Sequence, residues 1–364
     1  MAAFILYAYT AAPSIVALYD DSLEFQLVGP TFGIAHPTGY PLYILLSGLW
    51  SRVLFPFGGW AWRMNLFSAL AGAGAIALLY LLTCSLLEKR SASEDAPQPF
   101  GLVDGAGITA ALAFALSPVW WSQATVAEVY TLHNLLLLAV LLTAVRVGQD
   151  AHRTQATWLA ALLGLGLAHH RTILLLGPGL FVYLLWRGKD MWRPQRKWLR
   201  YTAGFALPLL LYLHLPLRAA MGAQDLEGAY VNTWSGFWRH VLATGYGGFL
   251  TGNPLAVSRS IEDWLAIFQT QFGLLGLLLG SYGLAVGLRG RAKRPEWTLI
   301  TLTLLANLGF AAGYRVADVE VFLLPVFLCI ALGIGAGLLH LAHLSTGILL
   351  SQDASTRFPI ARGT

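Results

Sequence analysis

The sequence predicts an all-α polytopic membrane protein with about ten spans. Three observations carry that reading: the ratio of apolar to charged residues, the length of the apolar runs, and the side on which the cations fall. Of 364 residues, 57% are hydrophobic and 11% charged, whereas soluble proteins average about 25% charged residues. This excludes a soluble globular chain, and abundant Trp, Tyr and Phe with little charge exclude a disordered one. A helix needs roughly 20 mostly apolar residues to cross the hydrocarbon layer, and several such runs are present.

In chain order the spans are read as 2–18, 65–87, 104–120, 126–147, 157–169, 172–187, 200–216, 264–288, 297–313 and 322–343. The apolar stretch 39–57 opens with Gly39-Tyr40-Pro41 after a loop and reads as a helix along the membrane surface. The pair 157–169 and 172–187 is short, so its break at His169-His170-Arg171 is expected just below one interface. Ser91 to Pro99, rich in Ser, Pro and acids, reads as a flexible linker. The transmembrane domain is expected over 1–343, with 344–364 a short cytoplasmic tail.

Lys and Arg near span ends stay on the cytoplasmic side. Segments 88–103, 144–156, 187–200, 289–296 and 344–364 carry 16 of the 23 Lys and Arg, including all four lysines, and are read as inside. The long loops 19–64 and 217–263 then face the periplasm or the lumen of a secretory organelle. Both are rich in Trp, Tyr, Gly and Pro, which suits headgroup depth. The net charge of +5 therefore describes orientation. The basic run Arg187 to Arg200 is an inside anchor and not a nucleic-acid patch.

Charge on the outer side is scarce enough to be informative. Asp20, Asp21 and Glu24 follow the first span, Glu128 opens the fourth, and Asp318 and Glu320 precede the tenth. Carboxylates gathered at one membrane face are costly unless paired or solvated, which makes them site candidates. His36, His169, His170, Arg171, Arg218 and Arg315 lie near outer span ends as well. Arg offers planar paired donors to phosphate. A carboxylate beside a phosphate-binding Arg is the minimal equipment for displacing a lipid-linked phosphate by a hydroxyl: the acid takes the proton and the cation stabilises the departing charge. Arg63 and Arg218 also suit headgroup contact or anchoring.

Other features point away from chemistry. Cys84 and Cys329 sit in apolar runs, with no thiol cluster and no disulfide framework. His340 and His343 share a helix face but have no third ligand, so no metal site is expected. Gly164-Leu165-Gly166 and the glycines of Gly333 to Gly337 lie inside spans and read as helix-packing surfaces.

Several motifs go beyond composition. Asp21-Ser22-Leu23-Glu24-Phe25, Ala35-His36-Pro37-Thr38-Gly39-Tyr40-Pro41, Arg63-Met64-Asn65-Leu66-Phe67, Trp121 through Leu132, Ala168-His169-His170-Arg171 and Tyr314-Arg315-Val316-Ala317-Asp318 occur in that order. The chain thereby resembles, over residues 15–325, a membrane family long catalogued as a domain of unknown function. That family includes the eukaryotic transmembrane protein O-mannosyltransferase acting on plexin-type receptors. The resemblance implies a GT-C glycosyltransferase fold and an outward-facing active site. It implies transfer of a single sugar, mannose or another hexose, from a polyprenyl-phosphate donor to a hydroxyl of a protein, glycan or lipid, with inversion.

The family's Asp-Ser-Gly-Glu pattern falls on Asp21, Ser22 and Glu24, with Leu23 in place of Gly; Asp20 precedes Asp21, so two adjacent carboxylates compete for the base. On this resemblance Asp21 is the general base and Glu24 its partner. Arg171, His169, His170 and Arg315 face the donor phosphate; Asp20, His36, Tyr40, Glu128 and Asp318 contact sugar or acceptor. No cofactor is expected beyond the lipid-linked donor, no metal ligand is assigned while metal need is left open, and no nucleic acid is expected. The rival class is a polytopic transporter or flippase. Its ionisable groups would usually sit near the bilayer midplane, whereas here they gather at one face.

Overall fold

The computed structural model describes residues 1–16, 20–88, 101–149, 153–187, 197–252 and 255–356. The predicted linker 91–99, most of the basic run 187–200 and the end of the tail from 357 lie outside these residues. Among the described residues every regular element is helical. The chain opens with α1 (Ala2–Thr10), α2 (Asp20–Thr31), α3 (Pro41–Val53) and α4 (Trp60–Leu87). There follow α5 (Leu102–Ala115), α6 (Pro118–Thr125), α7 (Tyr130–Gln149), α8 (Arg153–Leu167) and α9 (Gly177–Arg187). The second half comprises α10 (Lys197–Leu209), α11 (His214–Ala220), α12 (Trp234–Val241), α13 (Gly248–Thr251), α14 (Ile261–Arg289), α15 (Arg294–Gly313), α16 (Val319–Phe322) and α17 (Leu324–Thr356).

The helices that carry the core are α4, α7 and α17. Of its most apolar stretch, α17 buries 83%, whereas the α10–α11 rod buries 11% and therefore turns most of its surface to lipid. The tightest crossing joins α14 to α17: a Cβ built on Gly283 would lie 1.8 Å from the Gly333 carbonyl, so these backbones meet only because both positions are glycine. The expected glycine packing surface at 333–337 is thus present.

The tally of ten spans is not reproduced. Among the described residues, five helices are long and apolar enough to cross a bilayer, or six when α5 and α6, bent by 69° at Ser117-Pro118, count as one. The expected span 2–18 is a nine-residue helix. It stops before Pro13, which has no N–H to continue the ladder and pushes its predecessor out of the α region. The expected span 126–147 begins at Tyr130, leaving 126–129 as an extended link. Between α8 and α9 the chain forms a 3₁₀ turn over Arg171–Leu176, and α9, with 11 residues, is about 16 Å long. The expected surface stretch 39–57 forms α3.

These interruptions converge at one end of the bundle. There the start of α2, the loop 32–40, the turn 168–172, the segment 242–255 and the link 314–318 surround a cavity, with Glu128 of the link 126–129 buried behind it.

Candidate active site

The site begins at the first turn of α2. Asp21 and Glu24 are three residues apart and so project from one helix face, near an N-terminus whose dipole favours carboxylates. Leu23 points the other way and is exposed, so its presence does not disturb this face. The backbone of Asp20 opens the helix, while its side chain lies outside the described set.

Glu24 receives the loop 32–40. One carboxylate oxygen accepts the His36 backbone N–H at 2.9 Å, and the other makes a short hydrogen bond with His36 Nδ1. The far ring nitrogen, Nε2, stands 3.8 Å from Asp21 Oδ2. Glu24, His36 and Asp21 therefore form an acid–imidazole–acid series, with Glu24 and His36 buried and the Asp21 side chain half-exposed toward the cavity. Burial alone would lower the His36 pKa; the Glu24 hydrogen bond and the charges of Asp21, Glu24 and Glu128 outweigh it and raise the group above its ordinary value.

The second half of the chain clamps this loop through backbone carbonyls. His214 Nε2 donates to the Gly33 carbonyl and His240 Nε2 to that of Ala35, both at 2.9 Å. Arg218 donates to the carbonyls of Phe32 at 2.6 Å and Thr31 at 3.1 Å, at the C-terminal end of α2. Gly39 has φ +83°, and a Cβ there would come within 2.7 Å of Leu215; only glycine meets both demands. Tyr40, at φ 41°, holds a left-handed conformation that a bulky side chain rarely adopts. Arg63 makes the matching clamp after α3, donating to the carbonyls of Ser51, Phe57 and Gly58 while buried. Arg63 and Arg218 both bind backbone here, the anchoring role rather than the headgroup one.

Glu128 sits in the link ahead of α7, buried behind the series. Ser68 ties down its backbone, and Ser22 Oγ donates to Oε1 at 2.5 Å, while Oε2 has no hydrogen-bond partner. Burial, reinforced by the Asp21 charge, pushes its carboxyl from the ordinary 4.5 to about 8, so Glu128 is largely protonated at neutral pH.

Beyond α8 the three predicted donor residues separate. His169 Nε2 donates to the Val129 carbonyl at 2.9 Å and its ring stacks on Tyr43, beneath the cavity. His170 caps the 3₁₀ turn, with Nδ1 2.7 Å from Thr172 Oγ1. Burial first, then the neighbouring histidines and Arg171, lowers its pKa well below the ordinary value, so the ring is neutral. Accepting the Thr172 N–H at Nδ1 leaves the proton on Nε2. Arg171 donates to the Leu242 carbonyl.

The cavity encloses about 700 Å³. Asp21, His36, Tyr40, His170, Arg171 and Asp318 line it. Glu24, Glu128 and His169 support it from behind. Arg315 lies outside the lining and is exposed; its backbone N–H donates to Phe249 and its carbonyl accepts from Val257. Burial, with the Asp21 charge, raises the Asp318 carboxyl. The lining also includes Tyr130, Thr172, Tyr246 and Tyr314, which the sequence had not singled out as contacts, and exposed Leu174, Leu250 and Leu255 give it an apolar rim. For Tyr246 the available signal was its glycine-flanked setting, Gly245-Tyr246-Gly247-Gly248-Phe249. Among the described residues, no three His, Cys, Asp or Glu side chains stand together as metal ligands.

This arrangement coincides with a known segment. Residues 21–193 match the family model described as the protein O-mannosyl-transferase TMEM260 N-terminal domain. The matched range holds the Asp21–Glu24–His36 series, Glu128 and the His169-His170-Arg171 turn, and it bears out the resemblance drawn from the motifs. Mouse protein O-mannosyl-transferase TMEM260 is 31% identical over 234 residues, which cover 63% of this chain and 31% of the relative. The Dictyostelium discoideum protein O-mannosyl-transferase tmem260 is 25% identical over 370 residues, covering 91% of this chain and 43% of the relative. The chain thus spans less than half the length of these curated relatives. Among solved structures, ArnT from Cupriavidus metallidurans bound to undecaprenyl phosphate superposes with a TM-score of 0.64 at 17% identity, covering 93% of this chain and 58% of that one. Its apo state gives 0.59 at 16% identity over the same shares. The fold is accordingly the GT-C type of integral membrane architecture.

Proposed function

We propose that the chain is the catalytic membrane unit, over 1–343, of an inverting glycosyltransferase, with 344–364 a cytoplasmic tail. It moves one hexose, mannose by analogy with the TMEM260 relatives, from a polyprenyl-phosphate donor to a protein hydroxyl on the outer membrane face. The observation that carries the reading is Asp21, held by the His36–Glu24 pair at the edge of a cavity that also presents Arg171.

Asp21 accepts the proton of the acceptor hydroxyl as its oxygen bonds to the anomeric carbon. The bond from that carbon to the phosphate oxygen breaks on the opposite face, and polyprenyl phosphate leaves. One displacement needs one base and inverts the centre; a retaining reaction would place two carboxyl groups across the bond. Arg171 supplies the positive charge that stabilises the departing phosphate, and neutral His170 donates from Nε2. Exposed Arg315 acts earlier, attracting the anionic donor. Asp318 and Tyr40 contact sugar hydroxyls, and Asp20 remains a further acceptor-side carboxylate. The apolar rim of Leu174, Leu250 and Leu255 suits a prenyl chain. ArnT, which shares this fold, is known bound to undecaprenyl phosphate.

The test is Asp21→Asn in the full chain with polyprenyl-phosphate mannose and a Ser/Thr peptide. Transfer falls by about 10²- to 10⁴-fold, the usual worth of a general base, with unchanged thermal stability. Full transfer by the folded variant would refute the assignment.

A further inference from the structure

A second, smaller pocket of about 250 Å³ adjoins the large cavity. Pro37, Tyr246 and Phe249 line both, so the two share a wall. Tyr246 is the partition: its ring centroid lies 6.5 Å from that of His36, whose Nε2 is 3.8 Å from Asp21. The small pocket is therefore linked to the proposed base through the Tyr246 and His36 rings. It is also tied to the loop that carries His36, because His240, part of its lining, donates to the Ala35 carbonyl.

The two spaces differ in chemistry. The large cavity has an exposed leucine rim, whereas the small pocket carries Glu227 and Arg239, both exposed and opposite in sign. A transfer between two substrates needs two approaches to Asp21, and a lipid-borne donor takes the apolar one. At about 250 Å³ the pocket is smaller than the roughly 300–1,000 Å³ that encloses a whole small ligand, so it seats part of a larger molecule. A carboxylate and a guanidinium lining one pocket suit the donors, acceptors and mixed charges of an extended polypeptide.

We infer that this pocket is the acceptor subsite, seating the residues that flank the reacting Ser or Thr of an extended polypeptide. The inference rests on the glycosyltransferase reading and adds to it where the acceptor lies and which residues choose it.

Gly245 offers a clean test. It lines the small pocket only, and a Cβ built on it meets no atom within 4 Å, so Gly245→Phe fills the space without a backbone clash. Steady-state transfer from polyprenyl-phosphate mannose to a Ser/Thr peptide should show the peptide KM raised about tenfold or more, with the donor KM changed less than about twofold. A second arm swaps charge at the surface: Arg239→Glu should shift preference from peptides with acidic flanks to peptides with basic flanks by about fivefold, the size of a surface-charge effect. An unchanged peptide KM in Gly245→Phe with unchanged flank preference in Arg239→Glu would overturn the inference. So would a donor KM that rises in parallel, or an unaltered enzyme that glycosylates a glycan acceptor and no peptide. If the unaltered enzyme never turns over the donor, the glycosyltransferase reading itself falls, which the wild-type control distinguishes.

Discussion

At the scale of single residues, the site is a set of carboxyls held in three different surroundings. Asp21 borders the cavity, Glu24 is engaged by His36, and Glu128 is buried against Ser22 with one oxygen unpartnered. The His36 pKa is raised above its ordinary 6.5 in the fold, so its bound proton adds stability that is complete below about 6.5 and is lost as pH rises through the raised value. Glu24→Gln removes the partner that sustains this. The stability gap between wild type and Glu24→Gln should be widest in mild acid and close toward alkaline pH, read by thermal unfolding in detergent; a gap independent of pH would show that Glu24 does not hold the His36 proton. Glu128 has the same sign for a different reason. Its pKa rises from 4.5 to about 8, so stability declines as pH climbs between those values, because the unfolded chain releases the proton first. Glu128→Gln should abolish that decline and delete a protonated-carboxyl band from the infrared difference spectrum at neutral pH. If the band is absent in wild type, Glu128 is ionised and the desolvation account fails.

At the scale of elements, the decisive piece is the loop between α2 and α3, held from outside by donors to its carbonyls. Arg218 reaches the last carbonyls of α2, where a cation also meets the negative end of the helix dipole. Arg218→Ala should cost about 1–3 kcal/mol, the worth of hydrogen bonds to a charged donor. It should also speed amide exchange over 32–40, with residual transfer exceeding that of Asp21→Asn. Unchanged exchange would place the loop's rigidity elsewhere. The loop's own residues were legible in the sequence, since the Ala-His-Pro-Thr-Gly-Tyr-Pro string concentrates special backbone and side-chain demands. Arg218 was legible as an anchor, but what the clamps hold was not: His214, Arg218 and His240 lie some 180 to 205 positions away and bind main-chain carbonyls, which leave no pattern in side-chain identity. Arg315 shows the converse. Its position in a motif suggested phosphate binding, and the motif residues that line the cavity are its neighbours Tyr314, Val316, Ala317 and Asp318. Helix ends were misplaced for a related reason, because hydropathy runs on across Pro13 and Ser117-Pro118 while the backbone ladder cannot.

At the scale of the whole molecule, the charges divide the bundle into two ends. The cavity occupies one. At the other, the ends of α4, α9, α14 and α15 meet: Lys293 Nζ donates to the Ser85 carbonyl at 2.9 Å, and Arg187 pairs with buried Glu296 at 3.1 Å. The proposed outer-face reaction requires the cationic end inside, the side on which Lys and Arg near span ends are retained; the proposal then has the cavity open outward, toward a lipid-linked sugar donor and its acceptor. Both native thiols, Cys84 and Cys329, are buried, so an introduced surface cysteine reports its own side. Gln224, exposed in the link between α11 and α12, and Arg291, exposed between α14 and α15, mark the two ends. In right-side-out vesicles, a membrane-impermeant maleimide should label Gln224→Cys directly and Arg291→Cys only after permeabilisation. The reverse pattern would turn the cavity to the cytoplasm and remove the outer-face donor from the proposal.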